Sequence, residues 1–130
     1  MEIIFKSKKE KSNFSYCADI FKGKKKLNGF NKMVESLCER VSDDEYSVRD
    51  VSFNEDLTGT LYLCYPLSVV VKEEIHFNSL HTLISEIRRV YQKIYEDPIT
   101  YGVWGHSIYD LVIESITIYE GNLVDVSIGS

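Results

Sequence analysis

Apolar positions along this chain recur with two periods, and the switches between them mark out its elements. From Asn78 to Glu96 the residues Leu80, Leu83, Ile84, Ile87, Val90, Tyr91, Ile94 and Tyr95 follow steps of three and four, the spacing of one helical face. Asn78 or Ser79 is placed to cap this helix, and Phe77 to pack back on its first turn. Asp97-Pro98 closes it, because the residue before proline avoids helical geometry. A second stripe, Phe30, Met33, Val34, Leu37, Cys38 and Val41, predicts a helix over about 28–42 with Asn28 as its cap. The acids Asp43-Asp44-Glu45 follow it, and they sit badly against the negative end of a helix dipole. That helix is expected to stop by Ser42.

Elsewhere the period is two. Val, Ile, Thr and Tyr dominate 111–119, and Val and Ile recur in 123–128, so both runs suit a pleated surface. Loop parity decides how they pair, since a slip of one residue sends every side chain to the other face. A three-residue loop, Glu120-Gly121-Asn122, pairs Ile118 with Val124 and Ile116 with Val126 on one side. Tyr119 with Leu123 and Thr117 with Asp125 then share the other. Asn122 suits the left-handed position such a loop needs. Leu111 and Ile113 lie opposite Ile116 and Ile118 in phase, so this strand is expected in the interior of the sheet.

The same parity reading pairs 47–54 with 57–65 around Asn54-Glu55-Asp56, with Pro66 ending the ladder. A short strand follows around Val69-Val70-Val71. At the start of the chain, 2–7 and 14–21 read as a hairpin with a basic tip, leading to the loop Lys22-Gly23-Lys24-Lys25-Lys26. The fold expected is α+β: one domain over 1–130, with a mostly antiparallel sheet of hairpins and two amphipathic helices, 28–42 and 78–96, packed on it.

Length and composition agree with that picture. A chain of 130 residues buries roughly two thirds of its unfolded surface without metals or disulfides. No apolar run approaches the ~20 residues of a membrane span, and no signal-peptide core follows the charged start. The three cysteines, Cys17, Cys38 and Cys64, are scattered and share no metal spacing. A reducing cytoplasm is the natural setting for them.

Charge changes the picture more. Residues 1–40 carry a net +5 and residues 41–130 a net −10, which together give the chain's −5. Acids cluster at Asp43-Asp44-Glu45, Glu55-Asp56, Glu73-Glu74 and Glu96-Asp97, each at an expected element end or loop tip. Such charges are ordinarily solvated, but here they also suggest an acidic rim that meets a basic partner. The lysines at 6, 8, 9, 11 and 22, 24, 25, 26 raise the opposite possibility, phosphate binding. An acidic chain with few arginines and no aromatics among those lysines makes nucleic acid the poorer expectation.

Candidate chemistry is thin. Cys64, His106 and Asp110 supply the residue types of a thiol–imidazole–carboxylate set, with no nucleophile signature around the cysteine. His76 and His81 are five apart, a spacing that does not put two ligands on one helical face. Gly23 alone makes no phosphate-binding loop. No cofactor or metal is expected. Tyr101, Val103, Trp104, Ile108 and Tyr109 form an aromatic loop between and beyond Gly102 and Gly105. Its tyrosines suit an interface, while Trp104 suits a plug at the end of the core.

The resulting expectation is a non-catalytic binding module that occludes a basic protein surface, with the character of small immunity-type inhibitors or antitoxins. Its contact residues are taken as Asp43, Asp44, Glu45, Glu55, Asp56, Glu73, Glu74, Tyr101, Trp104 and Tyr109. The rivals are a small hydrolase-like enzyme using His106 and Asp110, a nucleic-acid binder through the N-terminal lysines, and a subunit of a larger assembly.

Overall fold

The structure is a computed structural model, which describes residues 21–25, 38–42, 45–48 and 52–129. Its architecture is α+β. Strands β1 (Cys38–Ser42) and β2 (Glu45–Val48) form an antiparallel pair. Then follow β3 (Ser52–Leu63), β4 (Val71–Ser79), the long helix α1 (Leu80–Glu96), the short helix α2 (Pro98–Tyr101), a single 3₁₀ turn (Ile108–Asp110), β5 (Val112–Tyr119) and β6 (Leu123–Gly129). The last four strands make one sheet in the order β4-β3-β6-β5.

Helix α1 begins where the sequence places it. Ser79 ends β4 and caps α1 directly: its hydroxyl accepts from the Thr82 amide, and the Thr82 hydroxyl accepts from the Ser79 amide. Two of the unsatisfied donors at the helix start are thereby closed. The stripe Leu80, Leu83, Ile84, Ile87, Val90, Tyr91 and Ile94 is buried. It packs on Leu61, Leu63, Ile75, Phe77, Ile116, Ile118, Val124 and Ile128 from all four strands. Each fully buried large side chain contributes on the order of 1.5–3 kcal/mol by area, an upper figure given how compact unfolded chains are.

The C-terminal hairpin also has the expected register. Ile118 faces Val124, Ile116 faces Val126, Tyr119 faces Leu123 and Thr117 faces Asp125. Asn122 takes the left-handed conformation at φ 57°. It also pins the turn to β3, through its carbonyl to the Thr60 amide (3.0 Å) and its side-chain amide to the Thr58 carbonyl (3.2 Å). A Cβ at Gly59 would run into that Asn122 carbonyl, so glycine is what permits the approach.

Four expectations change. Cys38–Ser42, the end of the expected 28–42 helix, is strand; residues 28–37 lie outside the described residues. A strand here holds the β-branched Val41 and avoids setting the following acids against a helix C-terminus. In place of the expected hairpin of 47–54 with 57–65, residues 52–63 form one strand, β3, paired with β4, while 47 and 48 end β2 and 49–51 lie outside the described residues. Asn54-Glu55-Asp56 does depart from regular pairing, as an irregularity between Ser52 and Leu57, with Asn54 at φ 60°. Turn chemistry was legible there, but it serves a bulge.

The strand expected around 69–71 begins only at Val71 and runs to Ser79. This puts Glu73 and Glu74 inside a strand rather than at a tip. Finally, β5 is an edge of the sheet and β6 is interior, joined to β3 in parallel through Thr60–Leu123, Leu61–Val124 and Tyr62–Asp125. The sheet is therefore mixed. An irregularity between Ile113 and Ser115 shifts the phase of β5, so Ile113 packs toward the core with Ile116. The double-sided apolar pattern comes from that shift.

On the face away from α1, Phe21 is buried, stacked on Tyr119 (ring centroids 4.7 Å) and edge-on to Tyr62 (5.3 Å). The Lys25 carbonyl accepts from the Glu120 amide at 2.9 Å. The hairpin expected over 2–7 and 14–21 lies outside the described residues apart from Phe21. Lys6, Lys8, Lys9, Lys11, Lys26 and Cys17 lie outside them too.

Candidate functional site

Strand registers fix which loops share an end of the molecule. Leu63 pairs with Val71 and Val112 with Gly129, and β3 runs parallel to β6. The connection 64–70, the return from α1 through 97–111, and the end of β6 therefore gather at one end of the sheet. The bulge at 53–56, the start of α1 and the turn 120–122 lie at the other.

At the first end the two loops are laced together. The Trp104 amide donates to the Pro66 carbonyl (3.0 Å), and the Ser68 amide to the Tyr101 carbonyl (3.2 Å). The Ser68 hydroxyl donates to the Gly102 carbonyl (2.9 Å) and the Trp104 indole to the Leu67 carbonyl (3.3 Å). Gly102 sits at φ 61°, and a Cβ there would collide with the Ser68 side chain. Glycine is required on both counts.

Helix α1 supports this assembly from below. Tyr91 donates to the Tyr65 carbonyl at 2.7 Å, and Tyr95 donates to the His106 carbonyl at 3.0 Å. Burial, together with the negative charge of Asp110 and the neighbouring Tyr65, pushes the Tyr95 hydroxyl above its ordinary range. It thus stays protonated and a donor well beyond neutral pH. Tyr65 meets Trp104 edge-on at 5.5 Å, and its hydroxyl lies 2.9 Å from His106 Nε2. The His106 ring lies 5.7 Å from Tyr65 and 6.0 Å from Trp104. The result is a bed of aromatic rings whose polar atoms hold the loops.

Above that bed the loops expose apolar surface. Among the described residues Ile99 (93% exposed) and Tyr109 (90%) are the large hydrophobic side chains most open to water, with Val69 partly open (39%), and all three come from these two laced segments. Glu96, Asp97 and Asp110 are exposed beside them in sequence. Neither 64–71 nor 94–112 contains a lysine or arginine.

The expected contact residues are dispersed. Asp43 and Asp44 lie outside the described residues, and Glu45 opens β2. Glu55 and Asp56 are exposed in the bulge at the far end, where Asp56 accepts from the Asn78 side chain at 3.1 Å. Glu73 is bridged to Lys93 of α1 (3.1 Å), and the Glu74 carboxylate lies 3.2 Å from His76 Nε2. Tyr101 and Trp104 are half-buried in the laced loops, while Tyr109 stands free of them in water. The laced loops thus hold Tyr101 and Trp104 at the end of the sheet opposite Glu55 and Asp56, while Glu73 and Glu74 lie inside β4 close to its start at the loop-built end.

Sequence reasoning missed Val69 and Ile99. In the sequence Pro98 signals a helix stop, but proline is also well suited to start the next helix, and α2 presents Ile99 outward.

The residues considered for catalysis have separate engagements. His106 Nε2 meets the Tyr65 hydroxyl, and the Asp110 carboxylate accepts from the Ser107 amide at 3.0 Å as part of the cap of the 3₁₀ turn. Cys64 is a free thiol, half-buried. His76 lies between Glu74 and the Thr58 hydroxyl (3.1 Å) on the exposed face of the sheet. Among the described residues no group of three or more His, Cys, Asp or Glu side chains is placed to hold a metal ion. Among them also, no helix is long and apolar enough to cross a membrane. Comparison with protein-family models, curated proteins and solved structures finds no significant match to the chain.

Proposed function

We propose that the chain is a non-catalytic protein-binding module, which acts by covering a surface of its partner with the loop-built end. One observation carries this reading. The large apolar side chains left in water among the described residues all belong to the two segments laced together at that end. Exposed apolar groups concentrated on the loops of one end of a fold mark interaction surfaces more often than ones spread over the whole surface do. Tyrosine and tryptophan at the same place add contact area at low entropic cost. The loop backbone beneath is held by hydrogen bonds from two tyrosines of α1, and backbone ordered in advance lowers the cost of association.

A photo-crosslinking residue at position 99, compared with the same residue at position 55, tests this in the native cell. A discrete protein adduct from position 99 and none from position 55 is expected. Adducts from neither, or equally from both, would contradict the reading.

A further inference from the structure

The composition of the loop-built end also says what kind of partner fits it. We infer that this end takes a polypeptide segment carrying lysine or arginine beside aliphatic side chains. The basic groups meet Glu96, Asp97 and Asp110, and the aliphatic ones meet Val69, Ile99 and Tyr109. This rests on the reading of the end as a contact surface, and it deepens that reading by naming the chemistry of the occupant.

Charge complementarity selects among the alternatives. With no lysine or arginine in 64–71 or 94–112, these loops offer no side-chain cation to a nucleic acid or an anionic membrane. A neutral apolar partner would cover three carboxylates without supplying counter-charges, at a desolvation cost. A second copy of the chain, docked symmetrically, would bring a second set of these carboxylates into the interface and no lysine or arginine from these loops to balance them. A basic segment alone satisfies both the carboxylates and the apolar side chains. Among the described residues, the cation of α1 that lies one turn before Glu96, Lys93, is bridged to Glu73. Lys22, Lys24 and Lys25 belong to the stretch that meets Glu120 at the opposite end.

The test is titration of the full chain with a short helical Lys/Leu peptide and with its Glu/Leu counterpart, by calorimetry and by Trp104 fluorescence. Trp104 is the sole tryptophan, so its emission reports on this end. The Lys/Leu peptide is expected to bind and to weaken with added salt. Its affinity should fall about tenfold or more in Ile99→Asp and in Glu96→Lys, as for loss of an anchor or a complementary charge. It should be unchanged in Glu55→Lys, which makes the same charge change at the far end. An equal loss in Glu55→Lys would mean attraction by net charge alone and would overturn the inference. Preferential binding of the Glu/Leu peptide, abolished by Ile99→Asp, would overturn it while leaving the contact-surface reading standing. Binding of neither peptide would also overturn it, and crosslinking from position 99 would then judge the underlying reading separately.

Discussion

The two ends of the sheet solve the same problem with different chemistry. At the turn-built end, short polar side chains close the backbone locally. Ser79 and Thr82 cap α1, Asn78 meets Asp56, and Asn122 ties the hairpin turn to β3. No described large hydrophobic side chain is exposed there. At the loop-built end, tyrosine hydroxyls and an indole reach long distances along the chain to hold irregular backbone. Ile99, Tyr109 and Val69 are then left in water above them. One end spends its side chains on closing the fold. The other has a supporting layer that stabilises and an outer layer that does not, and such a division is what an interface requires.

Substitutions can break or sharpen this contrast. The largest effect is expected at Gly59, where a Cβ meets the Asn122 carbonyl. Gly59→Ala should cost roughly 2 kcal/mol, within the range for overpacking, as measured by denaturant unfolding. Next comes Tyr91→Phe, which strips the Tyr65 carbonyl of its α1 donor at the loop-built end. The loss of one such hydrogen bond costs about 0.5–1.5 kcal/mol, so the supporting layer should prove as structural as the turns. A neutral result would dissolve the distinction between the two layers. Ser79→Ala should cost about 1 kcal/mol through the lost cap.

A pH effect acts at both ends. Burial, then the charges of neighbours, raises the hydroxyls of Tyr95 and, beside Asp125, Tyr119. The native state thus keeps protons that the unfolded chain releases above about pH 10. This contribution is complete below that pH and is lost as pH rises through the raised native values. Stability should therefore fall on the alkaline side, and the fall should be shallower in Tyr95→Phe and in Tyr119→Phe, as followed by thermal melts. The smallest effect is expected in the outer layer. Ile99→Asp and Tyr109→Ala should leave stability within about 0.5 kcal/mol, as for surface positions without special contacts.

What the sequence disclosed follows from where the deciding interactions lie. Helix α1 and the 120–122 turn are specified by neighbours in the chain: a periodic stripe, a cap, and the parity of a three-residue loop. Both were readable in full. The β3–β6 pairing joins Thr60 to Leu123, and a parallel contact at that separation leaves no local pattern. The phase shift near Glu114 hid the edge position of β5, because alternation counted straight through it assigns Ile113 to the wrong face. At Asn54-Glu55-Asp56 the turn residues were real, but nothing nearby distinguishes a hairpin from a bulge opposite Phe77 and Ser79. For the candidate site, the aromatic loop 101–109 stood out in the sequence. Its lacing to 64–70 and the exposure of Ile99 depend on Ser68 and Gly102 meeting across the fold, which no spacing reveals.

The division of labour between the ends is tested most directly by measuring two quantities, melting temperature and Lys/Leu peptide affinity, on Ser79→Ala and Ile99→Asp side by side. Ser79→Ala is predicted to lower the melting temperature and leave affinity unchanged, and Ile99→Asp to do the reverse. An Ile99→Asp chain that melts early yet binds as tightly as the parent would contradict the assignment of the loop-built end to partner contact.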